Sequence, residues 1–287
     1  DATVDAADAM NHANVADAGG GADASLGFGQ TLGGQKEVER VILEGNARLG
    51  SVLNDPVGGL LRRSRLEAPR VEFDVPARRV VVPVPGRLLY QDNRPPEQPD
   101  PADANAVEAD GAAAAPPAVA PGVAPGGLGN LRGATAVQWG DSLVYDEPAR
   151  QAELTGGVRM AHEGIGDNAR RLNLSAGRVK LTFLPAETDA PGEGGGEGGG
   201  EAGMPAGADL QRLQASGGVT YVSEQVSFEA ATADYDATTG ILVATGGEGA
   251  PVQVFDAQGR PQGTVRRLTY NVRTDEVKLE QFGGRGG

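Results

Sequence analysis

Three aspartates hold the same place in this sequence and have the most obvious potential for chemistry. Asp74, Asp146 and Asp236 end the apolar runs "VEFD", "LVYD" and "ADYD". A row of carboxylates could bind Ca²⁺ or provide the pair of acids that hydrolyses a glycoside. Their recurrence directly after an aromatic residue favours a structural role, because a short polar side chain there can bond the backbone of a turn. Asn271 has the same place in "LTYN".

The remaining candidates for catalysis are weak. His162 lies beside Glu163 without a second His or Cys nearby, which favours a structural or solvated imidazole over a metal ligand or a base. No serine has the surroundings of a nucleophile elbow. Cysteine is absent, so disulfides and thiolate sites are excluded. The sequence therefore predicts no catalytic residue, no metal site and no cofactor, and we expect a protein that is not an enzyme.

The charge balance argues against one class of partner. The chain of 287 residues has a net charge of −14 and only three lysines, whereas a nucleic-acid partner requires a basic face. No apolar run reaches the roughly 18 residues that a membrane-spanning helix needs. The sequence starts at Asp1 without a methionine, and we interpret it as a processed protein or a region of a longer one.

Three stretches have compositions that do not build a core. Residues 1–36 are rich in Ala, Asp and Gly, residues 94–129 in Pro and Ala, and residues 186–208 in Gly and Glu. We predict that residues 1–36 are a disordered or linker segment. Residues 37–287 are predicted to be one β domain, interrupted by low-complexity insertions at 94–129 and 186–208.

The ordered parts of the chain repeat a unit of strand, turn and strand. Apolar residues resume with period two seven positions after each aromatic residue, in the pairs Phe73 and Val80, Tyr145 and Ala152, Tyr235 and Leu242, and Tyr270 and Val277. A weaker fifth copy extends from Leu172 to Phe183. Each copy predicts an antiparallel hairpin, and the whole predicts an all-β fold. The predicted strands are 38–49, 66–74, 79–90, 132–146, 150–161, 168–183, 210–222, 225–236, 240–246, 251–255, 263–271 and 276–282.

Glycine interrupts the apolar rows of several strands. In the row Leu154, Gly156, Val158 and Met160 the apolar residues continue beyond the glycine, so the strand does not end there. Period two places such a row on one face, and a glycine inside it indicates a sharp bend. We therefore predict a sheet folded over on itself, with an apolar interior. Its predicted lining residues are Leu154, Val158, Met160, Leu213, Val219, Tyr221, Phe228 and Leu242.

These patterns resemble the OstA-like, or LptA, family of lipopolysaccharide-transport bridge proteins, which includes LptC-like and LptD N-terminal domains. The segments that carry the resemblance are "LVYDEPARQAELTGGVRM", "LQASGGVTYVSEQVSFEAATADYDATTGILVATGG" and "VILEGNARL". The likeness covers most of residues 38–93 and 130–283. It implies an open β-jellyroll, a folded sheet resembling a taco, whose interior carries lipid acyl chains.

The resemblance also implies a function, a location and partners. It implies a non-enzymatic bridge that carries lipopolysaccharide-like lipid between the inner and outer membranes, in the periplasm or associated with the outer membrane. Because an open sheet leaves its end strands unpaired, we expect edge pairing with other β-jellyroll components or with a second copy. The alternative is a structural or adhesive β-solenoid of the cell envelope with a fully packed interior.

Overall fold

The computed structural model describes residues 38–55, 57–94, 132–165, 170–184 and 209–280. The predicted N-terminal linker 1–36 and the predicted insertions 94–129 and 186–208 lie outside the described residues, except for Arg94 at the start of the first insertion. Within the described part of the chain there is no helix, so none is long and apolar enough to span a membrane.

The predicted all-β fold of antiparallel hairpins is confirmed. The strands are β1 Arg40–Asn54, β2 Leu60–Asp74, β3 Arg79–Val82, β4 Gly86–Asp92, β5 Gly133–Trp139, β6 Ser142–Asp146, β7 Gln151–Gly164, β8 Arg171–Phe183, β9 Leu210–Ser223, β10 Ser227–Asp236, β11 Ile241–Thr245, β12 Val252–Phe255, β13 Pro261–Val265, β14 Arg267–Asn271 and β15 Glu276–Glu280. All 15 belong to one sheet.

The sheet is folded along its middle into two layers. Each half of a long strand pairs with different neighbours: Glu72–Asp74 of β2 pairs with β3, whereas Arg62–Glu67 pairs with β4. Likewise β7 pairs with β6 through its first half and with β5 through its second half. Layer A contains β3, β6, β11, β14, β15 and the adjoining halves of β1, β2 and β7–β10. Layer B contains β4, β5, β12, β13 and the other halves.

We call the line where the two layers join the crease. Strands β1, β7 and β9 cross it with two consecutive residues of positive φ, at Gly45–Asn46, Gly156–Gly157 and Gly217–Gly218. The returning strands β2 and β10 place Pro69 and Ala231 opposite these pairs, where the register shifts. Gly and Asn are the residues that adopt positive φ at the lowest cost, and such bulges bend a strand. The sheet therefore folds over at these glycines, as the sequence predicted.

The predicted strand bounds need three corrections. The predicted strands 79–90, 132–146 and 263–271 are each divided at the crease, at residues 83–85, 140–141 and 266. Strand β2 begins at residue 60 rather than 66. The weak fifth hairpin is wrong, because Leu172–Phe183 lies within the single strand β8, which bends at Gly177 without turning back.

The core lies between the inner faces of the two layers. Among the largest side chains that are less than 2% exposed are Tyr221, Tyr235, Tyr270, Phe228, Leu143, Leu154, Leu213, Leu242, Leu268, Val71, Val82 and Val158. They belong to one continuous hydrophobic cluster that extends from β2 to β14. The burial of this cluster is the main force that holds the layers together.

Candidate functional site: the interior and its mouth

The structure brings the eight predicted lining residues into one interior. Leu154, Leu213 and Leu242 belong to layer A, and the other five, Val158, Met160, Val219, Tyr221 and Phe228, belong to layer B. All eight are buried, with 0–6% of their surface exposed, and all are members of the same cluster.

The interior between the described strands is tightly filled. The rings of Tyr221 and Phe228 stack with centroids 5.1 Å apart, and Tyr145 meets Phe183 edge-on at 6.4 Å. Burial raises the pKa of Tyr221 to about 12, which agrees with a dry environment. The sequence left open whether the interior is filled or holds an elongated cavity, and the described side chains of the two inner faces pack against one another in one cluster.

The inner face opens at both ends of the sheet. On β1, Val41, Leu43 and Leu49 pack against the core but are only partly buried. On β15, Val277 and Leu279 are 37% and 50% exposed. Within the described chain β1 pairs only with β2, and β15 only with β14. The apolar interior therefore continues to two end strands that have one described neighbour each.

Layer B has a polar strip on its inner face that the sequence did not predict. Arg62 and Asp92 are opposite each other on β2 and β4 at the outer end of the layer, and both are buried. One row inward, Tyr90, Thr135 and His162 are cross-strand neighbours. Thr135 Oγ1 lies 2.9 Å from His162 Nδ1. Extending the row Leu66 and Ala68 backwards by period two would have found Arg62, had β2 been predicted to its full length.

The polar strip has perturbed ionisation. Burial lowers the pKa of His162 to about 4, although Glu163 opposes this. Burial raises the pKa of Asp92, with the Arg62 guanidinium acting in the opposite direction. Burial also raises the pKa of Tyr90. In all three groups the largest cause of the shift is burial, which disfavours the charged form.

The turn residues lie away from the interior. Asp74, Asp146 and Asp236 each accept a hydrogen bond from the backbone three residues on, at 2.9–3.0 Å. Asn271 accepts bonds from Arg273 and Thr274. The four side chains belong to four separate hairpin turns. Among the described residues no group of three or more acids and histidines is arranged to hold a metal ion.

The outer face of layer A has one open groove of about 900 Å³. Its lining is mixed, with Arg212, Asp234 and Glu280 beside Ile241 and Val243. Arg212 and Asp234 form a two-pronged ion pair there, with bonds of 2.5 and 2.8 Å. The Arg212–Asp234 pair joins the neighbouring strands β9 and β10 on this outer face.

Comparison with known proteins finds limited similarity. No protein-family model matches the chain, and no curated protein matches it. A solved structure that matches is LptH of Pseudomonas aeruginosa, described as the LptA-homologous periplasmic component of the lipopolysaccharide transport device. The match covers 53% of this chain and 85% of that chain, with 13% identity and a TM-score of 0.34. At that level the match supports no statement about function.

Proposed function

We propose that the protein is a non-enzymatic lipid carrier that takes acyl chains between its two layers and passes them along the sheet. The observation that supports this most is the continuous apolar interior, which extends to exposed inner-face residues on β1 and β15. Each methylene group transferred from water to such an interior contributes about 0.8 kcal/mol. The bound lipid would be lipopolysaccharide-like, in a periplasmic or outer-membrane-associated bridge.

The two end strands support an assembly role. Val277 and Leu279 at one end, and Val41, Leu43 and Leu49 at the other, offer apolar rows beside backbone edges. Edge pairing with another β-jellyroll component or a second copy would extend the interior from one molecule to the next. Nothing in the acidic composition favours a nucleic-acid partner.

A second function is favoured by the packing of the described core. Large side chains with less than 2% exposure are what a core without a ligand would have. A structural or adhesive β protein of the cell envelope would have such a core. The two functions differ in whether the layers separate far enough to admit an acyl chain.

The single tryptophan provides a direct test. Trp139 is 3% exposed at the crease end of β5, and its Nε1 donates to the Val84 carbonyl oxygen at 2.9 Å. We expect dibrominated stearate to quench Trp139 fluorescence, since bromine quenches only at close range, and unlabelled stearate to reverse the quenching. Saturating probe without quenching would favour the structural protein.

A charge placed in the interior separates the two functions further. Val158→Asp and Val219→Asp put a carboxylate among the lining residues, and Arg159→Asp puts one on the outer face as the matched control. A carrier whose layers separate can hydrate the charge, so we expect these variants to fold, to melt at a lower temperature and to lose displacement of a fluorescent fatty acid. In a permanently dry core the same change costs several kcal/mol and unfolds the domain. Unfolding of both variants, together with a wild type that never binds the probe, would overturn the proposal.

A further inference from the structure

The two layers have a crease on one side and free margins on the other. Rim A is the outer margin of layer A, which contains Asp209 and the turn 272–275. Rim B is the outer margin of layer B, which contains Arg62, Arg94 and Arg170. The mouth is the opening between the rims. Among the described residues no backbone hydrogen bond joins rim A to rim B.

Between described residues, side-chain hydrogen bonds cross the mouth at two places. At the first, Asp209 on rim A accepts hydrogen bonds from Arg62 at 3.2 Å and Arg94 at 3.0 Å on rim B. Both arginines also bind Asp92, at 3.1 and 2.9 Å, which fixes their guanidinium groups. We call these contacts the Asp209 clasp.

The second crossing is also a guanidinium held by a carboxylate. Arg170 on rim B binds both oxygens of Asp275 on rim A, at 2.6 and 2.8 Å. The same guanidinium donates to the Val272 carbonyl oxygen at 2.6 Å, and Tyr270 donates to Asp275 at 2.7 Å. We call these contacts the Asp275 clasp. Paired bonds of this kind are directional and about twice as strong as neutral ones.

The clasps differ from ion pairs elsewhere on the surface. Arg212 and Asp234, for example, lie on the neighbouring strands β9 and β10, which backbone hydrogen bonds already join. The clasps join residues 105 to 147 positions apart in the chain, on strands that are not neighbours in the sheet. A clasp therefore helps to hold rim A and rim B together. The Arg212–Asp234 pair, in contrast, joins two strands that backbone hydrogen bonds already hold together.

We infer that the Asp209 and Asp275 clasps lock the mouth, and that their separation is the step that gives access to the interior. Hinging at the crease keeps the strand pairing intact, because each pair of long strands that crosses this line has a register shift there. Opening exchanges the ion pairs for hydrated charges and exposes apolar surface, so an occupant that covers this surface stabilises the open form. The inference deepens the proposed function and rests on it only for the nature of the molecule that enters.

The absence of cysteine from the sequence makes opening measurable with single thiols. Leu172→Cys places a thiol on the inner face beside Arg170, at a position that is 6% exposed. Ala176→Cys places one on the same strand near the crease, at a position that is 4% exposed. Opening of the mouth exposes the first thiol more than the second, whereas global unfolding exposes both equally.

The test is the rate at which a water-soluble maleimide labels these thiols. With Asp209→Asn and Asp275→Asn combined, we expect labelling of Leu172→Cys to accelerate at least tenfold and labelling of Ala176→Cys to change much less. High salt should likewise accelerate labelling of Leu172→Cys in the protein whose clasps are intact. Asp234→Asn is the matched control and should leave both rates within twofold, and Asp275→Glu, which retains the carboxylate, should recover most of the slow rate.

The outcomes separate this inference from the proposed function. Unchanged labelling of Leu172→Cys in a folded clasp variant would overturn the lock, as would equal acceleration at both thiols. Faster labelling at Leu172→Cys without any quenching of Trp139 by dibrominated stearate would support the lock and overturn the lipid carrier.

Discussion

The crease and the mouth close the same interior by different means. At the crease every long strand passes unbroken from one layer to the other, and its backbone hydrogen bonds resume on both sides of the bend. At the mouth the margins meet through the Asp209 and Asp275 clasps and through the packing beneath them. The crease is held by the backbone, whereas the mouth is held by side chains, namely the charged clasps and the apolar packing beneath them.

This difference shows where the molecule can change shape. Breaking the crease would sacrifice strand pairing in both layers, and the backbones approach each other closely there: a Cβ at Gly140 would overlap the Gly156 carbonyl oxygen. Opening the mouth costs two sets of ion pairs and the contact between inner faces. We therefore expect the two layers to move about the crease, where glycines set the backbone conformation. The arginine and aspartate side chains of the clasps hold the opposite margins together.

The largest effect is expected from a methyl group at the crease. Gly156 has φ +85°, and a Cβ there would overlap the backbone nitrogen of Asp141. Gly156→Ala should therefore lower the free energy of unfolding by about 3 kcal/mol or more, measured by chemical denaturation. Gly157→Ala is the control, because its φ is +72° but no atom lies within 4 Å of the new Cβ. It should cost about 1–2 kcal/mol from backbone strain alone.

A further variant tests whether φ sets these costs. Asn46 occupies the crease of β1 at φ 62°, at the position that corresponds to Gly157. Gly157→Asn should then be milder than Gly157→Ala, since Asn tolerates this conformation. Equal costs for Gly156→Ala and Gly157→Ala would refute the close approach at the crease.

The next effect is an acid sensitivity that arises just inside the mouth. His162 has a pKa of about 4 in the folded state and an ordinary value of 6.5, so between these pH values the unfolded chain binds the additional proton. Its contribution to stability is complete above pH 6.5 and is lost as the pH falls towards 4, by roughly 3 kcal/mol at most. His162→Gln retains a hydrogen-bonding partner for Thr135. In this variant the free energy of unfolding should depend less on pH between 4 and 6.5.

The same histidine reports on the mouth. If the clasps keep water from the polar strip, Asp209→Asn should raise the pKa of His162 towards 6.5, as followed by NMR titration of the imidazole. Glu163→Gln removes only the charge that opposes the shift and should lower the pKa slightly. A His162 pKa near 6.5 in the parent protein would mean that the strip is wet and the mouth is open.

The clasps themselves should contribute moderately to stability. Asp275→Asn removes a two-pronged charged bond between groups that are 28% and 34% exposed, which is expected to cost about 1–2 kcal/mol. The loss should shrink as salt is added, because both groups reach water. A double-mutant cycle with Arg170→Gln measures the pair directly. A coupling energy near zero would leave Arg170 and Asp275 as incidental neighbours.

Much of the fold could be predicted from the sequence because the determinants are local. The aromatic residue and Asp at 145–146 and 235–236 mark hairpins that the structure contains, and the glycines at 156–157 and 217–218 mark the bend. The predicted hairpin at 172–183 was wrong because the prediction used the same local signals. Ser175 resembles a turn residue, but Gly177 and the neighbouring strands continue the strand across the crease.

The mouth could not be predicted from the sequence because its contacts are between distant residues. Arg170 and Asp275 are 105 residues apart, and no periodicity relates them. Arg62 and His162 point inwards only because their strands are longer or better paired than the apolar pattern indicated. Local patterns identify which face is buried, whereas the clasps depend on how far one layer is offset over the other.

The smallest effect is expected from the ion pair on the outer face of layer A, which is the control for the clasps at the mouth. The Arg212–Asp234 pair matches the Arg170–Asp275 pair in bond number and nearly in bond length, but the Arg212 and Asp234 side chains are 52% and 36% exposed. The Arg212 hydrogen bond lowers the pKa of Asp234, so any stabilisation is present at neutral pH and is lost only as the pH falls below the ordinary value of 3.8. Because β9 and β10 stay joined by their backbone bonds, Asp234→Asn should change the free energy of unfolding by no more than about 0.5 kcal/mol at pH 7. A cost equal to that of Asp275→Asn would show that position at the mouth adds nothing to an ion pair, and the distinction between lock and surface would fail.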